Sequence, residues 1–473
     1  MELDPAKWGN EPKMSAWEAV MWRAEGDLRT RSSGALVEVL DGPPDWERLT
    51  AAHARACAVI PRLRERVVQP LIPVGTPTWV PDPHFDLAYH LTRVRLPEPG
   101  TMRQLLDYAA QLTSRPLDEN RPPWEATVVE GLEGGRAAYI LRIHHAMADG
   151  LGFIQLLSMA HSRTLEPGGS QLANEKDRWQ TPKETSRLRL TLDQLRDEVA
   201  EAPARTLGMA TGALSLLGRV ARNPAGTVSD AVNYGRSLRR MLAPPDAERS
   251  PLLRGGGFGY RFVVHDVPLA DLKAAGKAGG GSVNDAFLAA LLGTFRRYHE
   301  HFGVQVDEMP IAIPISLRTS DDPMGGNRFA GARFVAPVGE PDPAIRIKMI
   351  RDFVRTARDE PAIAFVELLA PALSRLPSTV LTEVAGGMVG VSDFQASNIP
   401  GMADPVYLAG AQVLRLYPMG PRPGVAAMVA MVSYDGTCCI AVNIDPDSIT
   451  QTELFEDCLH AGFAEVLALG AAG

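Results

Sequence analysis

The chain has 473 residues, 45% of them hydrophobic and 22% charged, with a formal net charge of -8. That length exceeds one ordinary hydrophobic core and predicts two domains, and the apolar and charged shares are those of a soluble globular protein. The acidic balance argues against nucleic-acid binding, which needs a basic face, and no uninterrupted apolar run is long enough to span a bilayer. The four cysteines, Cys57, Cys438, Cys439 and Cys458, have no metal-type spacing. They read as small hydrophobes in a reducing compartment, with Cys438 and Cys439 on opposite faces of a strand. The acidic, proline-broken start from Met1 to Pro5 does not read as a signal peptide.

In chain order, an amphipathic helix is expected over Met14 to Ala24, a strand over Ala35 to Leu40, and a helix over Asp45 to Cys57 with Asp45 as N-cap. A helix over Met102 to Thr113 and strands over Ala126 to Glu130 and Ala137 to Ile143 follow. The stretch from Glu166 to Glu184 is polar and reads as a linker, and Arg187 to Ala202 as a charged helix. From Leu207 to Leu242, apolar residues are interleaved with glycines and flanked by arginines. That pattern fits a crossover helix between domains, or an apolar face lying in a membrane interface. The second half opens on a strand over Tyr260 to Val267. A buried helix behind Asn284, a strand over Met309 to Leu317, another over Arg333 to Pro337 and a helix over Ala344 to Thr356 come next. Strands Val425 to Ser433 and Cys438 to Asn443 flank the turn Tyr434-Asp435-Gly436, and a helix over Thr452 to Leu467 closes the chain. The domains therefore read as 1–165, a linker with crossover helices at 166–255, and 256–473.

The chemistry concentrates in His144-His145-Ala146-Met147-Ala148-Asp149-Gly150. An apolar strand delivers two imidazoles to a turn, a carboxylate follows, and helical spacing resumes at Leu151. Histidine titrates near neutrality, so it can take a proton and return it. A single buried histidine is most often a hydrogen-bonded core residue. The pair with Asp149 and Gly150 fits the pattern HHxxxDG, the signature of the coenzyme-A-dependent acyltransferase and condensation-domain superfamily. No HExxH or CxxC pattern accompanies it, so no metal is expected.

Other landmarks extend the likeness from about residue 14 to the C-terminus. They are Met14-Ser15-Ala16-Trp17-Glu18-Ala19, Phe85-Asp86-Leu87 with His90, Arg115-Pro116-Leu117-Asp118 and Ser282-Val283-Asn284-Asp285. Pro314-Ile315-Ser316-Leu317-Arg318, Gly326-Asn327-Arg328, Ser397-Asn398-Ile399-Pro400-Gly401 and Ser433-Tyr434-Asp435-Gly436 complete the order. In this order the chain resembles the bacterial wax ester synthase/acyl-CoA:diacylglycerol acyltransferase family. One departure stands at Pro122-Pro123-Trp124, where that family has Pro-Leu-Trp. The second proline stiffens the turn and leans the reading toward diacylglycerol.

The resemblance implies an α/β (α+β) fold of two chloramphenicol-acetyltransferase-like domains with an active-site channel between them. It implies transfer of a long-chain acyl group from acyl-CoA, as co-substrate and without a cofactor, to diacylglycerol or a fatty alcohol. His145 is then the general base, His144 shapes the pocket or fixes the loop, and Asn284 is an oxyanion donor or a helix cap. Asp149, Gly150, Asp285 and Arg318 are structural, with Arg318 the expected partner of Asp149 and Gly150 freeing the backbone at the turn. Trp124, Ser397 and Asn398 are expected to line the substrate site. The expected location is cytoplasmic, with peripheral contact to a membrane or lipid droplet. Two other readings are a condensation-type acyltransferase with a different acceptor and a non-catalytic lipid carrier on the same fold; His145, the base, is present, which speaks against the carrier.

Overall fold

Ser15 and Glu18 close a reciprocal capping box on the first helix, α1 (Ala16–Ala24). Strand β1 (Ser33–Leu40) follows, then α2 (Trp46–Val59), capped by Asp45 as its sequence predicts, and the hairpin β2 (Glu65–Val68) with β3 (Thr78–Pro81). A one-turn helix α3 (Leu87–His90) leads into β4 (Leu91–Arg95), and α4 (Met102–Thr113) into β5 (Trp124–Glu130). Strand β6 (Ala137–His144) and helix α5 (Gly150–Ala160) carry the histidine turn.

The second half contributes β7 (Arg261–Pro268), α6 (Leu269–Ala278), α7 (Val283–His301), β8 (Met309–Ser316), β9 (Phe329–Ala336) and α8 (Pro343–Arg358). It continues with β10 (Phe394–Met402), β11 (Tyr407–Leu408), β12 (Ala411–Met419), β13 (Ala427–Tyr434), β14 (Thr437–Ile444) and α9 (Thr452–Ala471). This computed structural model describes residues 4–72, 75–165, 185–197, 200, 247–254, 256–316, 324–327, 329–358, 373–376, 378, 380–383 and 390–471. The expected crossover segment at 207–242 lies outside them.

Two six-stranded sheets result, in the orders β11-β12-β1-β6-β5-β4 and β7-β14-β13-β10-β8-β9. The first is not built from the first half alone. Strand β12 pairs antiparallel with β1, from Ala35↔Met419 to Leu40↔Val413, with a bulge between Val39 and Leu40. The division that gives 256–473 to one unit misses this exchange, because β11 and β12 reach back into the other sheet. No strand was expected there, and Pro418 explains part of that. It stands inside β12 opposite Leu36, a position where a missing N–H ordinarily argues against a strand.

The exchange brings strands of the second half into the first core. Strand β12 packs across β13 and β14, and the Tyr434 hydroxyl donates to Val413 O at 2.9 Å while accepting from Val406 N at 2.9 Å. Along the second sheet, Phe262, Val432, Tyr434, Cys439 and Ala441 face the first core. Their neighbours Val263, Met431, Cys438, Ile440 and Val442 face the helical layer formed by α6, α7 and α9. Cys438 and Cys439 thus sit on opposite faces as their adjacency requires, and all four cysteines are free and buried.

Beneath the first sheet lies a charged pair away from solvent. His161 Nε2 is 2.8 Å from Glu38 Oε2 and His161 Nδ1 is 2.8 Å from Leu157 O, with both side chains almost fully buried. Both ring nitrogens face acceptors, the arrangement of an imidazolium. Burial alone would pull the His161 pKa down, but the charge and hydrogen bond of Glu38 and the Leu157 carbonyl outweigh it, and the net shift is upward. A raised folded-state pKa gives stability that is complete below the ordinary imidazole value of about 6.5 and is lost as pH rises through the folded value. The melting temperature should therefore fall with rising pH above about 6.5. His161→Gln should flatten that slope and lower stability by about 3–5 kcal/mol, since it leaves Glu38 buried without its partner. Parallel pH profiles for the two proteins in thermal unfolding would show that the pair does not titrate in this window.

Candidate active site

Strand β6 ends at His144, and the backbone beyond it is held from three sides. His144 pairs with Ser33 of β1, the His144 N–H donates to Pro123 O at 3.0 Å, and the His145 N–H donates to Ser32 O at 2.8 Å. The chain then turns, with Met147 N–H donating to His144 O at 2.9 Å. Helix α5 starts at Gly150 under the cap of Asp149, whose Oδ1 accepts from Gly152 N at 2.8 Å. Asp149 is thus an N-cap of the helix that follows the motif, and its expected partner Arg318 lies outside the described residues.

Gly150 is required for a reason other than the expected one. Its backbone is not left-handed; a Cβ there would stand 2.9 Å from Ile399 Cδ1 of β10. The glycine lets a strand of the second sheet approach the start of α5.

The second half closes over this turn through residues 324–327. Ala148 and Gly326 form a parallel bridge, with Gly326 N–H donating to Met147 O at 3.2 Å and Asp149 N–H donating to Gly326 O at 2.9 Å. Gly325 and Gly326 both have positive φ, +74° and +64°, which bends the loop onto the turn. Asn327 follows, and it grips His145 at two points. Its Nδ2 donates to the His145 carbonyl at 2.6 Å, and its Oδ1 lies 2.9 Å from His145 Nδ1. The Asn327 N–H donates to Oε1 of the buried Glu18 at 3.1 Å, and Gly325 N–H to Gln155 Oε1 at 3.1 Å.

These contacts fix the chemistry of the ring. A carbonyl oxygen only accepts, so the amide nitrogen of Asn327 must face His145 O, which turns Oδ1 toward Nδ1. Nδ1 therefore carries the hydrogen, and Nε2 carries the lone pair. Burial pulls the His145 pKa below its ordinary value, partly opposed by the Asn327 hydrogen bond and the Asp149 charge. His144 has the opposite arrangement. Its Nδ1 accepts from Ala146 N–H at 3.0 Å, and its Nε2–H points to Glu25 Oε2 at 3.2 Å. Glu25 in turn accepts from Ser32 N at 2.7 Å and Ser33 Oγ at 3.2 Å, and the Trp22 ring meets His144 edge-on at 4.8 Å. A small recess lined by Trp22, Glu25, Leu117, Glu119 and His144 opens beside this group.

The other expected site residues stand on different elements. Asn284 sits half-buried in the first turn of α7, whose contacts run to α6, α8 and α9. Beside it Asp285 completes a capping box, accepting from Ser282 N at 2.7 Å and Ser282 Oγ at 2.8 Å. Trp124 is buried in the first core: its Nε1–H donates to Leu63 O at 2.8 Å and its ring stacks on His90 at 4.7 Å. Ser397 and Asn398 lie in β10, two positions and one before Ile399, where β10 follows β13 but has parted from β8. Among the described residues, Asn327 is a hydrogen-bond partner that reaches His145 from the second half. Its signal in the sequence was the double glycine before it, which marks a loop bent for close approach.

Two stacked mixed sheets, joined by strand exchange and meeting at a histidine turn, define an acyltransferase-like architecture. The chain superposes on the wax ester synthase/diacylglycerol acyltransferase of Marinobacter aquaeolei VT8 with a TM-score of 0.64 at 19% identity, covering 97% of this chain and 100% of that one. The first condensation domain of the calcium-dependent antibiotic synthetase has the same fold, with a TM-score of 0.58 at 14% identity, covering 98% and 97%. Residues 14–287 match the wax ester synthase/diacylglycerol acyltransferase catalytic domain and 325–466 the WS/DGAT C-terminal domain. A Mycobacterium tuberculosis protein carrying a provisional diacylglycerol O-acyltransferase name is 42% identical over 472 residues, 98% of this chain and 94% of its own. The chain belongs to the wax ester synthase/diacylglycerol acyltransferase family and is an acyltransferase.

The family match begins at residue 14, yet the segment before it takes part in the site. Trp8 is fully buried, and its Nε1–H donates to Gly152 O at 2.9 Å. Gly9 N–H donates to Met324 O at 2.9 Å, and a Cβ on Gly325 would meet Gly9 N at 2.9 Å. Trp8 thus wedges between α5 and the loop that carries Asn327. Trp8→Ala should lower stability by about 3–5 kcal/mol, the usual range for removing a buried tryptophan. Denaturant unfolding measures this, and a loss below about 1 kcal/mol would mean that the wedge does not bear on the fold.

Proposed function

We propose that the chain moves a long-chain fatty acyl group from acyl-CoA to the hydroxyl of diacylglycerol, of a fatty alcohol, or of both, with His145 as general base. The observation that carries this reading is the double contact of Asn327 with the buried His145 at the junction of the halves, from which the Nδ1–H tautomer, with its lone pair on Nε2, is inferred. The names of the relatives support the acyl acceptors.

An alcohol attacks a thioester poorly until a base takes its proton. In the proposed step Nε2 accepts the hydroxyl hydrogen as the oxygen bonds to the thioester carbonyl carbon. The tetrahedral intermediate then collapses, the carbon–sulfur bond breaks, and the proton on Nε2 passes to the departing CoA sulfur. No covalent enzyme intermediate is needed. Asn284 remains the proposed oxyanion donor, on the resemblance alone. His144 is the structural member of the pair, since its Nδ1 is occupied by a backbone N–H and its Nε2–H faces Glu25. Acceptors and products are insoluble in water, so the proposal includes peripheral contact with a membrane or lipid-droplet surface on the cytoplasmic side. Among the described residues no helix is long and apolar enough to cross a membrane.

The test is free-thiol release from palmitoyl-CoA with diacylglycerol or hexadecanol as acceptor. His145→Ala should lower acceptor-dependent release by about a hundred- to ten-thousand-fold. If both proteins bind acyl-CoA and neither turns it over, a lipid carrier on this fold is the better reading. The acid limb gives a second check. The base works only when neutral, and burial lowers its pKa, so kcat/KM should hold at pH values near 6.5 and fall only below the ordinary imidazole value. A limb centred well above about 7 would point to another base.

A further inference from the structure

We propose that Asn327 is the positioning residue of the base: its single carboxamide holds both the backbone and the ring of His145 and keeps the ring hydrogen on Nδ1. The inference rests on the reading of His145 as base and adds to it the group that makes the base competent. Left to itself, a neutral imidazole favours the Nε2–H form, which would place a hydrogen where the acceptor's proton must go. Which nitrogen is protonated is set by what the other one bonds.

Both of these bonds are made to one residue, and the His145 backbone bonds the ring as well. The 2.6 Å bond from Nδ2 to His145 O fixes the amide's orientation, and the 2.9 Å approach of Oδ1 to Nδ1 then selects the tautomer. Flipping the amide would set two oxygens against each other at the first contact, so the arrangement has one solution. Asn327 is itself buried and has little room to move. Its N–H is held by Glu18, the loop before it by Gln155 and Met147, and the outer side of that loop by Trp8 and Gly9. Glu18 belongs to α1 and Gln155 to α5, so three separate segments of the first half aim one side chain of the second.

This makes the loop at 324–327 more than a clasp between halves. A clasp requires only its backbone bridge to Ala148, which any residue at 327 would allow. The carboxamide goes further, because it supplies a donor and an acceptor at the spacing of a histidine's own carbonyl and Nδ1. Aspartate at this position keeps the acceptor, loses the donor and adds a negative charge; alanine loses both.

The experiment uses full-length protein labelled with 15N at histidine, together with Asn327→Ala, Asn327→Asp and His145→Ala. In wild type at neutral pH, the His145 Nε2 resonance should have the shift of an unprotonated ring nitrogen and Nδ1 that of a protonated one, with the assignment taken from signals missing in His145→Ala. Asn327→Ala should move the ring toward the Nε2–H form and lower kcat on the order of a hundredfold, with KM little changed. Asn327→Asp should keep hydrogen on Nδ1 and move the acid limb of kcat/KM to higher pH, because a carboxylate favours the imidazolium. An unchanged tautomer in Asn327→Ala would overturn the proposal, as would an acid limb in Asn327→Asp that coincides with wild type. Should Asn327→Ala fail to fold, the aspartate variant decides through its tautomer and pH limb. If His145→Ala keeps full activity, the general-base reading fails, and the nitrogen shifts still report whether Asn327 sets the tautomer.

Discussion

The parallel bridge between Ala148 and Gly326 is the contact on which the site depends. It is a short piece of backbone pairing, yet it joins the turn after β6 to a loop of the other half, and Asn327 follows directly in that loop. Neither half holds the arrangement alone. The first delivers His145 on a strand end fixed by Ser32 and Pro123, and the second delivers the amide that orients it. Two small residues make the approach possible, Gly150 against Ile399 and Gly325 against Trp8 and Gly9. The exchange of β12 into the first sheet acts in the same sense at a larger scale, since separating the halves would strip β1 of a neighbour. The site is stabilised by the whole chain rather than by one domain.

Much of the fold was legible where the local pattern and the tertiary outcome agreed. The helix at Met102–Thr113 matched its apolar spacing residue for residue, and Asp45 capped α2 as expected. The Tyr434-Asp435-Gly436 turn also agreed, with φ of +43° and +74° at Asp435 and Gly436, the values that a tight hairpin demands. Strand β12 was missed because its evidence lies elsewhere in the chain. Its residues gain their meaning only when β1, more than three hundred positions earlier, stands beside them, and Pro418 conceals the local signal. Strand β10 was missed for a related reason. Its Ser-Asn-Ile-Pro-Gly stretch has turn composition, and it is held by β13 in parallel, a pairing that local pattern does not announce.

The site was legible in part for the same reason. HHxxxDG marks where the proposed base is, because the strand that carries it and the helix that follows are both local. The partner of that imidazole is not local. Asn327 lies 182 residues away from His145, and nothing at the turn points to it. Gly325 and Gly326 did signal a special backbone, but a glycine pair says only that some surface comes close, not which side chain it presents. Trp124 is fixed by contacts that the motif does not announce: it sits between His90 and His53 and donates its indole N–H to Leu63 O.

Adjacent histidines of identical chemistry end in opposite states, and their neighbours alone decide it. His144 is the last residue of β6, where a backbone N–H two residues on occupies Nδ1 and leaves Nε2 as donor to Glu25. Its ring is committed to the fold at both nitrogens. His145 comes one residue later, past the end of the strand, so its side chain leaves the other way and meets the second half instead. There an amide oxygen takes the Nδ1 hydrogen, and the lone pair falls to Nε2. On the proposed roles, what distinguishes base from scaffold in this pair is therefore not the imidazole but which acceptor or donor reaches Nδ1. That selection is made by a capping helix, a strand end and a loop from the far half acting on rings one residue apart.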